Sequence, residues 1–307
     1  MRHFRSDLDL SPEEMMRVIE AALRLKREPR DSANRRQLPG RVLGLMFEKP
    51  SMRTRVSFES AVAHLGGACV FMTREEVALG QRETIADFAR VISRYVDWLA
   101  VRTFAHEVVE ELAKYASCPV INALSDYLHP CQALADLCTI QEHFGRLAGI
   151  RMVFVGDGNN VSRSLALASL QCGLDFVLCS PPGFEFNQEF MAKCKTIPST
   201  GSVSLETDAS KAVRGADVVY TDVWTSMGQE EEQAQRKLIF ADYQVNAKLL
   251  AIAKPTVRFL HCLPAHRGEE VTSDVLDGPA SLIVEQAANR LHAQKSLLLW
   301  LFSHSAS

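Results

Sequence analysis

The stretch Val42-Leu-Gly-Leu-Met-Phe-Glu-Lys-Pro-Ser-Met-Arg-Thr-Arg-Val-Ser-Phe-Glu-Ser-Ala-Val-Ala-His-Leu-Gly-Gly-Ala-Cys-Val-Phe-Met72 decides the fold. Val42 to Phe47 is a short apolar run that reads as a buried strand. Pro50 breaks it, and Ser51 stands where a helix N-cap would be. The spacing predicts a helix from about Thr54 to His64, then a second strand from Ala68 to Met72. Strand, helix, strand is the unit from which parallel sheets are built.

The alternation continues on both sides. Upstream, Ser11-Pro-Glu-Glu14 opens a helix: Ser11 caps it, Pro12 suits its first turn and Glu14 completes a capping box. Downstream, helices are expected over Thr84–Tyr95, Ala105–Tyr115, Cys131–His143 and after Asn160. Strands are expected over Trp98–Val101, Pro119–Asn122, Arg151–Val155, Leu174–Cys179, Ser202–Glu206, Val218–Thr221 and Val257–Leu260. The result is an α/β chain with doubly wound parallel sheets, in which ligands sit beyond the carboxyl ends of the strands. At 307 residues the chain exceeds one ordinary small core and fits two domains of roughly 150 residues. The segment Glu142 to Gly149 reads as the crossing between them. The boundaries expected are 1–145 and 146–284. The long last helix, about Ser281 to Phe302, has an apolar face suited to packing back on the first domain, to which 285–307 is assigned.

Composition narrows the function. Hydrophobic residues are 47% and charged residues 23%, with a formal net charge of −3. That charge excludes a generic nucleic-acid binder, so any anion site must be a local arginine cluster. None of the eight cysteines sits in a CxxC pair, which leaves a structural zinc site without support. The N-terminus lacks the apolar core of a signal peptide, and the run Leu297 to Phe302 is far too short to span a membrane. A cytoplasmic protein with reduced, mostly buried cysteines is the expectation.

The segment after Phe47 carries the first chemistry. With Ser51 as N-cap, the N–H groups of Met52 to Arg55 are expected to point outward unpaired, a ready phosphate site favoured by the helix dipole. Arg53 can add a bidentate clamp, and the Ser51 and Thr54 hydroxyls add donors. The bland alternative is a solvated basic helix start with its arginines paired to Glu48 and Glu59. Ser51-Met-Arg-Thr-Arg55 resembles the Ser-x-Arg-Thr-Arg signature of the aspartate and ornithine carbamoyltransferases, which implies that it holds the phosphate of carbamoyl phosphate.

Other motifs follow in the order that resemblance requires, covering about Ser11 to Leu298. His129-Pro-Cys-Gln132 resembles the family's His-Pro-x-Gln. The resemblance implies that His129 donates to the carbonyl oxygen and that Gln132 uses both ends of its amide on the carbamoyl group. Arg102, at the end of the strand Trp98–Val101, and Arg290, in Glu285-Gln-Ala-Ala-Asn-Arg-Leu-His292, match two further arginines of the anion site. A routine surface position on the last helix is the alternative for Arg290.

The acceptor is read from the second half. Val155-Gly-Asp-Gly-Asn-Asn-Val161 imitates a dinucleotide fingerprint, but Val161 stands at the third glycine position and argues against a dehydrogenase. Asn159 and Asn160 resemble the paired asparagines of the ornithine branch. Asn160 is favoured as the carboxylate ligand, the alternative being that both merely shape the turn. Thr221-Asp-Val-Trp-Thr-Ser-Met-Gly228 resembles an exposed loop in which Asp222 holds the α-ammonium, helped by Ser226 and Met227. Gly228 and the polar run Gln229 to Gln235 suit a mobile lid. His261-Cys-Leu-Pro264 matches the ornithine branch, where Cys262 and Leu263 touch the donor and Cys262 orients the attacking amine.

The resemblance therefore implies transfer of a carbamoyl group to the δ-amine of L-ornithine, giving L-citrulline and phosphate for arginine biosynthesis. It implies no cofactor and no metal, and a homotrimer or a multiple of one. Arg102, His129, Asp222 and Cys262 are the expected catalytic set. One position departs: in Glu76-Val-Ala-Leu-Gly-Gln-Arg-Glu-Thr84 the family carries Gln or His where this chain has Ala78, and Arg74, Gln81 or Arg82 are candidates to compensate. Rival readings are a carbamoyltransferase for putrescine or an acylated ornithine, and a non-catalytic paralogue.

Overall fold

The computed structural model describes residues 1–28, 36–80, 82–225 and 232–304. Two compact units account for them: Met1–Cys138 with Ala288–Ser307, and Thr139–Ala287. Both are parallel sheets interleaved with helices.

The first unit holds β1 (Val42–Phe47), β2 (Ala68–Thr73), β3 (Trp98–Arg102) and β4 (Val120–Leu124) in the order β2-β1-β3-β4. All pairings are parallel, Phe47 lying opposite both Thr73 and Arg102. The order reverses between β1 and β3, and that reversal opens a crevice at the carboxyl edge of the sheet. Apolar side chains of β1, β3 and β4 pack with those of the helices Ile85–Ile92 and His106–Tyr115. The helix Pro12–Arg27 starts with the full capping box of Ser11 and Glu14. The last helix, Ile283–Ser303, returns to this unit: Ser296 Oγ donates to the Val18 carbonyl at 2.7 Å, and Phe302 lies 5.9 Å from the Trp98 ring.

The second unit holds β5 (Arg151–Val155), β6 (Asp175–Cys179), β7 (Ser202–Glu206), β8 (Val218–Thr221) and β9 (Arg258–His261) in the order β7-β6-β5-β8-β9. Its order reverses between β5 and β8. One face of this sheet packs on Val213, Phe240, Tyr243 and Val245. Among the described residues no helix is long and apolar enough to cross a membrane. Six cysteines are buried, and burial pushes the thiols of Cys118, Cys131 and Cys179 up to about 12, which makes them inert packing groups.

The N-terminal segment adds a short edge to β4. Phe4 bridges Ile121, and His3 Nδ1 accepts the Val120 N–H at 3.1 Å. Burial, reinforced by Arg5, pushes the His3 imidazole from 6.5 to about 4. The folded state therefore keeps His3 neutral where the unfolded chain takes up a proton, and this contribution to stability falls as pH drops from 6.5 towards 4. His3→Asn retains an acceptor near Nδ1 without titrating. Its unfolding free energy, measured by urea denaturation across that range, should fall less steeply with acid than that of the parent chain, by about one proton at most.

Candidate active site

In the first unit the expected residues gather where the strand order reverses. Ser51 caps the helix Met52–His64 that follows β1, with Oγ accepting from Thr54 N at 3.4 Å and donating to Thr54 Oγ1 at 3.0 Å. Arg55 N donates to the Ser51 carbonyl at 3.1 Å. The expectation of four open N–H groups is thus corrected: the cap and the first helical turn use those of Thr54 and Arg55, which leaves Met52 and Arg53. Arg55 is paired with Glu59 at 2.9 Å and lies over the Phe71 ring at 3.9 Å, so the bland reading holds for that arginine. Arg53 is half-buried and has no ion-pair partner among the described residues.

Arg102 closes β3, level with Phe47, and is buried. His129 and Gln132 lie at the start of the helix Pro130–Phe144, just past β4, and both are buried. Burial, then Arg290 and Arg102, hold the His129 imidazole well below 6.5, so it is neutral at pH 7 and available as a donor. Arg290 is 5% exposed, which rules out a routine surface position. Its Nη1 donates to Gln132 Oε1 at 2.6 Å and its Nη2 to Thr54 Oγ1 at 3.1 Å. Gln132 Nε2 donates to the buried Asp136 at 2.8 Å. Each end of the Gln132 amide therefore has one protein partner, Arg290 at Oε1 and Asp136 at Nε2. Asp136 was missed because an Asp one helical turn beyond a Gln carries no signal of its own.

The second unit repeats the plan. Asn159 follows β5 and caps the helix Asn160–Cys172, its Oδ1 accepting from Val161 N and Ser162 N at 3.0 Å each. Its Nδ2 donates to Asp222 Oδ2 at 3.1 Å. Capping takes Asn159 Oδ1 and Asp222 takes one N–H of its Nδ2, while Asn160 stands beside it at the helix start. Asp222, just past β8, is buried, and its Oδ1 accepts from Val223 N at 2.8 Å and from Cys262 Sγ at 3.0 Å. Cys262, just past β9, is half-buried. Leu263 has φ 60, an uncommon value for a residue with a Cβ.

The loop after Asp222 departs from the expectation of full exposure. Trp224 is 5% exposed and stacks on Phe240 with ring centroids 6.0 Å apart. Ser226, Met227 and Gly228 lie outside the described residues, as does Gln81. The end of the polar run is the start of a helix, Gln233–Phe240, and Gln229 and Glu230 lie outside the described residues. That helix carries Arg236, buried between Phe184 and Phe240, which donates to the Trp224 carbonyl at 2.6 Å and pairs with Asp157. Burial raises the Asp157 carboxyl, against the pull of Arg236. Neither residue stood out in sequence, because a polar run hides a buried arginine.

Asp222, His261 and Cys262 offer ligand atoms within 4.8 Å of one another, and so do His266, Glu269 and Glu270. Neither set fits a resident metal. Both ring nitrogens of His261 are engaged, by Leu263 N at 2.9 Å and Glu270 at 3.1 Å, and Glu269 is paired with Lys237 at 2.7 Å.

Two parallel α/β units, each with polar side chains collected at its strand-order reversal, define a protein built for two small ligands. The comparisons place it more closely. The carbamoyl-P binding domain of the aspartate/ornithine carbamoyltransferases matches residues 2–142, and their Asp/Orn binding domain matches residues 148–301. The ornithine carbamoyltransferase of Pyrococcus abyssi is 51% identical over 295 residues, 95% of this chain and 93% of that one. The anabolic ornithine carbamoyltransferase of Pyrococcus furiosus is 51% identical over 292 residues, 94% and 93% of the two chains. A solved ornithine carbamoyltransferase structure from P. furiosus superposes with a TM-score of 0.93 at 49% identity, covering 97% of this chain and 96% of that one. The chain belongs to the aspartate/ornithine carbamoyltransferase family.

The double use of Asn159 has a measurable consequence. Asn159→Ala removes a helix cap and a donor to a buried carboxylate, and should lower the urea-unfolding free energy by about 1–3 kcal/mol.

Proposed function

We propose that this chain transfers the carbamoyl group of carbamoyl phosphate to the δ-amine of L-ornithine, giving L-citrulline and phosphate in the anabolic direction, for arginine biosynthesis. The observation that carries this reading is the contact of Cys262 with Asp222, in a chain half identical to ornithine carbamoyltransferases. The first unit, taken as 1–145 with 285–307, binds the donor; the second, 146–284, binds the acceptor.

The phosphate of the donor takes the free N–H groups of Met52 and Arg53 at the helix start, with the hydroxyls of Ser51 and Thr54 beside it. Arg53, Arg102 and Arg290 neutralise its dianionic charge. Neutral His129 donates to the carbonyl oxygen, where negative charge grows as the amine adds. Gln132, held by Arg290 and Asp136, presents its remaining lone pair and N–H to the carbamoyl amide. Cys262 and the Leu263 backbone touch the same amide.

On the acceptor side Asn160 holds the α-carboxylate, and Asp222 holds the α-ammonium together with Ser226 and Met227. Cys262 orients the δ-amine. The neutral amine forms the new C–N bond, a tetrahedral intermediate follows, and the C–O bond to phosphate breaks. The departing phosphate accepts the proton that the amine loses. Orientation and fixed charge supply the catalysis. A diamine has no carboxylate for Asn160 and no α-ammonium for Asp222, which favours a free amino acid over putrescine.

We place the enzyme in the cytoplasm as a homotrimer or a multiple of one. Support for self-association comes from the first unit, where Met52 (73% exposed) and Val56 (53% exposed) flank an open cleft of about 640 Å³ that Arg55, Phe71 and Arg74 also line. Ala78 ends a short helical turn at φ 42, and Arg82 donates to the Glu76 carbonyl at 3.1 Å. Arg82 is thus tied to its own loop and is a poor substitute for the family's Gln or His.

Citrulline formation by the purified protein, with ornithine, putrescine, N-acetylornithine and aspartate offered in parallel, tests the reading. Turnover should be confined to ornithine. Turnover with another amine moves the assignment within the family, and none at all with bound carbamoyl phosphate indicates a paralogue. Arg53→Ala should raise KM for carbamoyl phosphate about 10- to 100-fold, the worth of one charge-assisted contact. Near-normal kinetics in that variant would remove the anion site.

A further inference from the structure

We propose that Glu270 is a positioning residue for the acceptor side, acting through the ring of His261 to hold the Cys262–Leu263 turn in place; this rests on the function proposed above. Nothing in the motifs singles out Glu270, which lies nine residues beyond His261. Both side chains are completely buried.

The hydrogen bonds fix the chemistry of the ring. Leu263 N–H donates to His261 Nδ1 at 2.9 Å, so Nδ1 carries no proton and the neutral ring must be protonated at Nε2. That Nε2–H faces Glu270 Oε1 at 3.1 Å. The same oxygen accepts the His266 N–H at 2.6 Å, closing the turn from 261 to 266 around the pair. Upstream, His261 N donates to Gln286 Oε1 at 2.8 Å, and Gln286 Nε2 donates to Tyr220 Oη at 3.1 Å, on the strand that leads to Asp222.

The tautomer matters because of what it supports. Leu263 sits in the left-handed region, where a branched side chain persists only if the surroundings hold it. Its N–H bond to Nδ1 is that hold. Without Glu270 a buried Nε2–H has no acceptor, and the ring loses the contact that fixes its orientation. A ring that turns to find another acceptor takes Nδ1 away from the Leu263 N–H, and the turn relaxes. Cys262 Sγ stands 3.0 Å from Asp222 Oδ1 only while the turn keeps its shape. A displacement of about 1 Å at such a contact is enough to cost a large part of turnover.

Three variants and one spectroscopic measurement test this. Glu270→Gln keeps an acceptor for Nε2–H, whereas Glu270→Leu keeps volume and removes the acceptor; His261→Asn supplies the double-variant background. In ¹⁵N-histidine NMR, with His261→Asn used for assignment, the parent chain and Glu270→Gln should both show the Nε2–H tautomer. In citrulline assays Glu270→Gln should keep kcat within about threefold, and Glu270→Leu should lower it about 10- to 100-fold. Added to His261→Asn, Glu270→Leu should cost under about twofold more, since both changes break one path. An Nδ1–H tautomer in the parent chain, or losses that multiply in the double variant, would overturn the proposal. If Glu270→Leu fails to fold, Glu270→Gln and the ring tautomer decide, with Nδ1–H in Glu270→Gln at full activity counting against it. The NMR arm needs no turnover, so a failure of this inference and a failure of the functional reading separate.

Discussion

The buried guanidinium of Arg290 is the tie on which the first site depends. One side chain from the last helix reaches Thr54, at the helix start after β1, and Gln132, at the helix start after β4. Those residues are 236 and 158 positions away in sequence. A charge taken out of water must find partners with fixed geometry, so the arginine dictates where both helix starts stand. A lysine would offer a point charge in place of a planar fork and would not hold two acceptors in one plane. The return of the last helix to the first unit is thus more than the burial of an apolar face. It adds Arg290 to Arg102, which ends β3, and Arg53, on the helix after β1.

That concentration of positive charge also sets the state of His129. Arg290 and Arg102 stand close enough to add to the effect of burial, and an imidazolium there would be a third buried cation. Burial is the larger cause of the ring's neutrality, and the two guanidinium groups act in the same direction. The chain's net charge of −3 is no guide to any of this, because the site's field comes from three arginines gathered from separate segments.

Much of this was legible in the sequence. Nine strands and the longer helices fall within a few residues of where the apolar runs and caps put them, and β1, β5, β7 and β8 match at both ends. The reason is local: a buried strand between breakers, or Ser11 before Pro12, needs no distant partner to be read. The site was legible as positions and less so as states. Ser51 was expected to leave four N–H groups open, but a cap satisfies one and the helix satisfies another. Gln132 reads as a carbamoyl ligand, but its sequence does not show that Asp136, one turn along the same helix, and Arg290, from the last helix, already hold its two ends. Trp224 was read as exposed because its neighbours are polar, and its burial depends on Phe240, sixteen residues further on. Some of these partners are local, the Ser51 cap and Asp136 among them, whereas Arg290 and Phe240 are partners that only folding brings near.

The acceptor site shows why the bland and the functional readings of a motif need not compete. Asn159 does what a capping asparagine does, and its remaining donor fixes Asp222. Asp222 in turn accepts from Cys262. Restrained on both oxygens, the carboxylate presents one orientation. Helix capping and ligand positioning are therefore the same hydrogen bonds seen from two sides. The orientation of Asp222 is fixed by the chain's own hydrogen bonds, so its loss would be felt in folding. In the function proposed above, that fixed orientation is what catalysis by positioning requires.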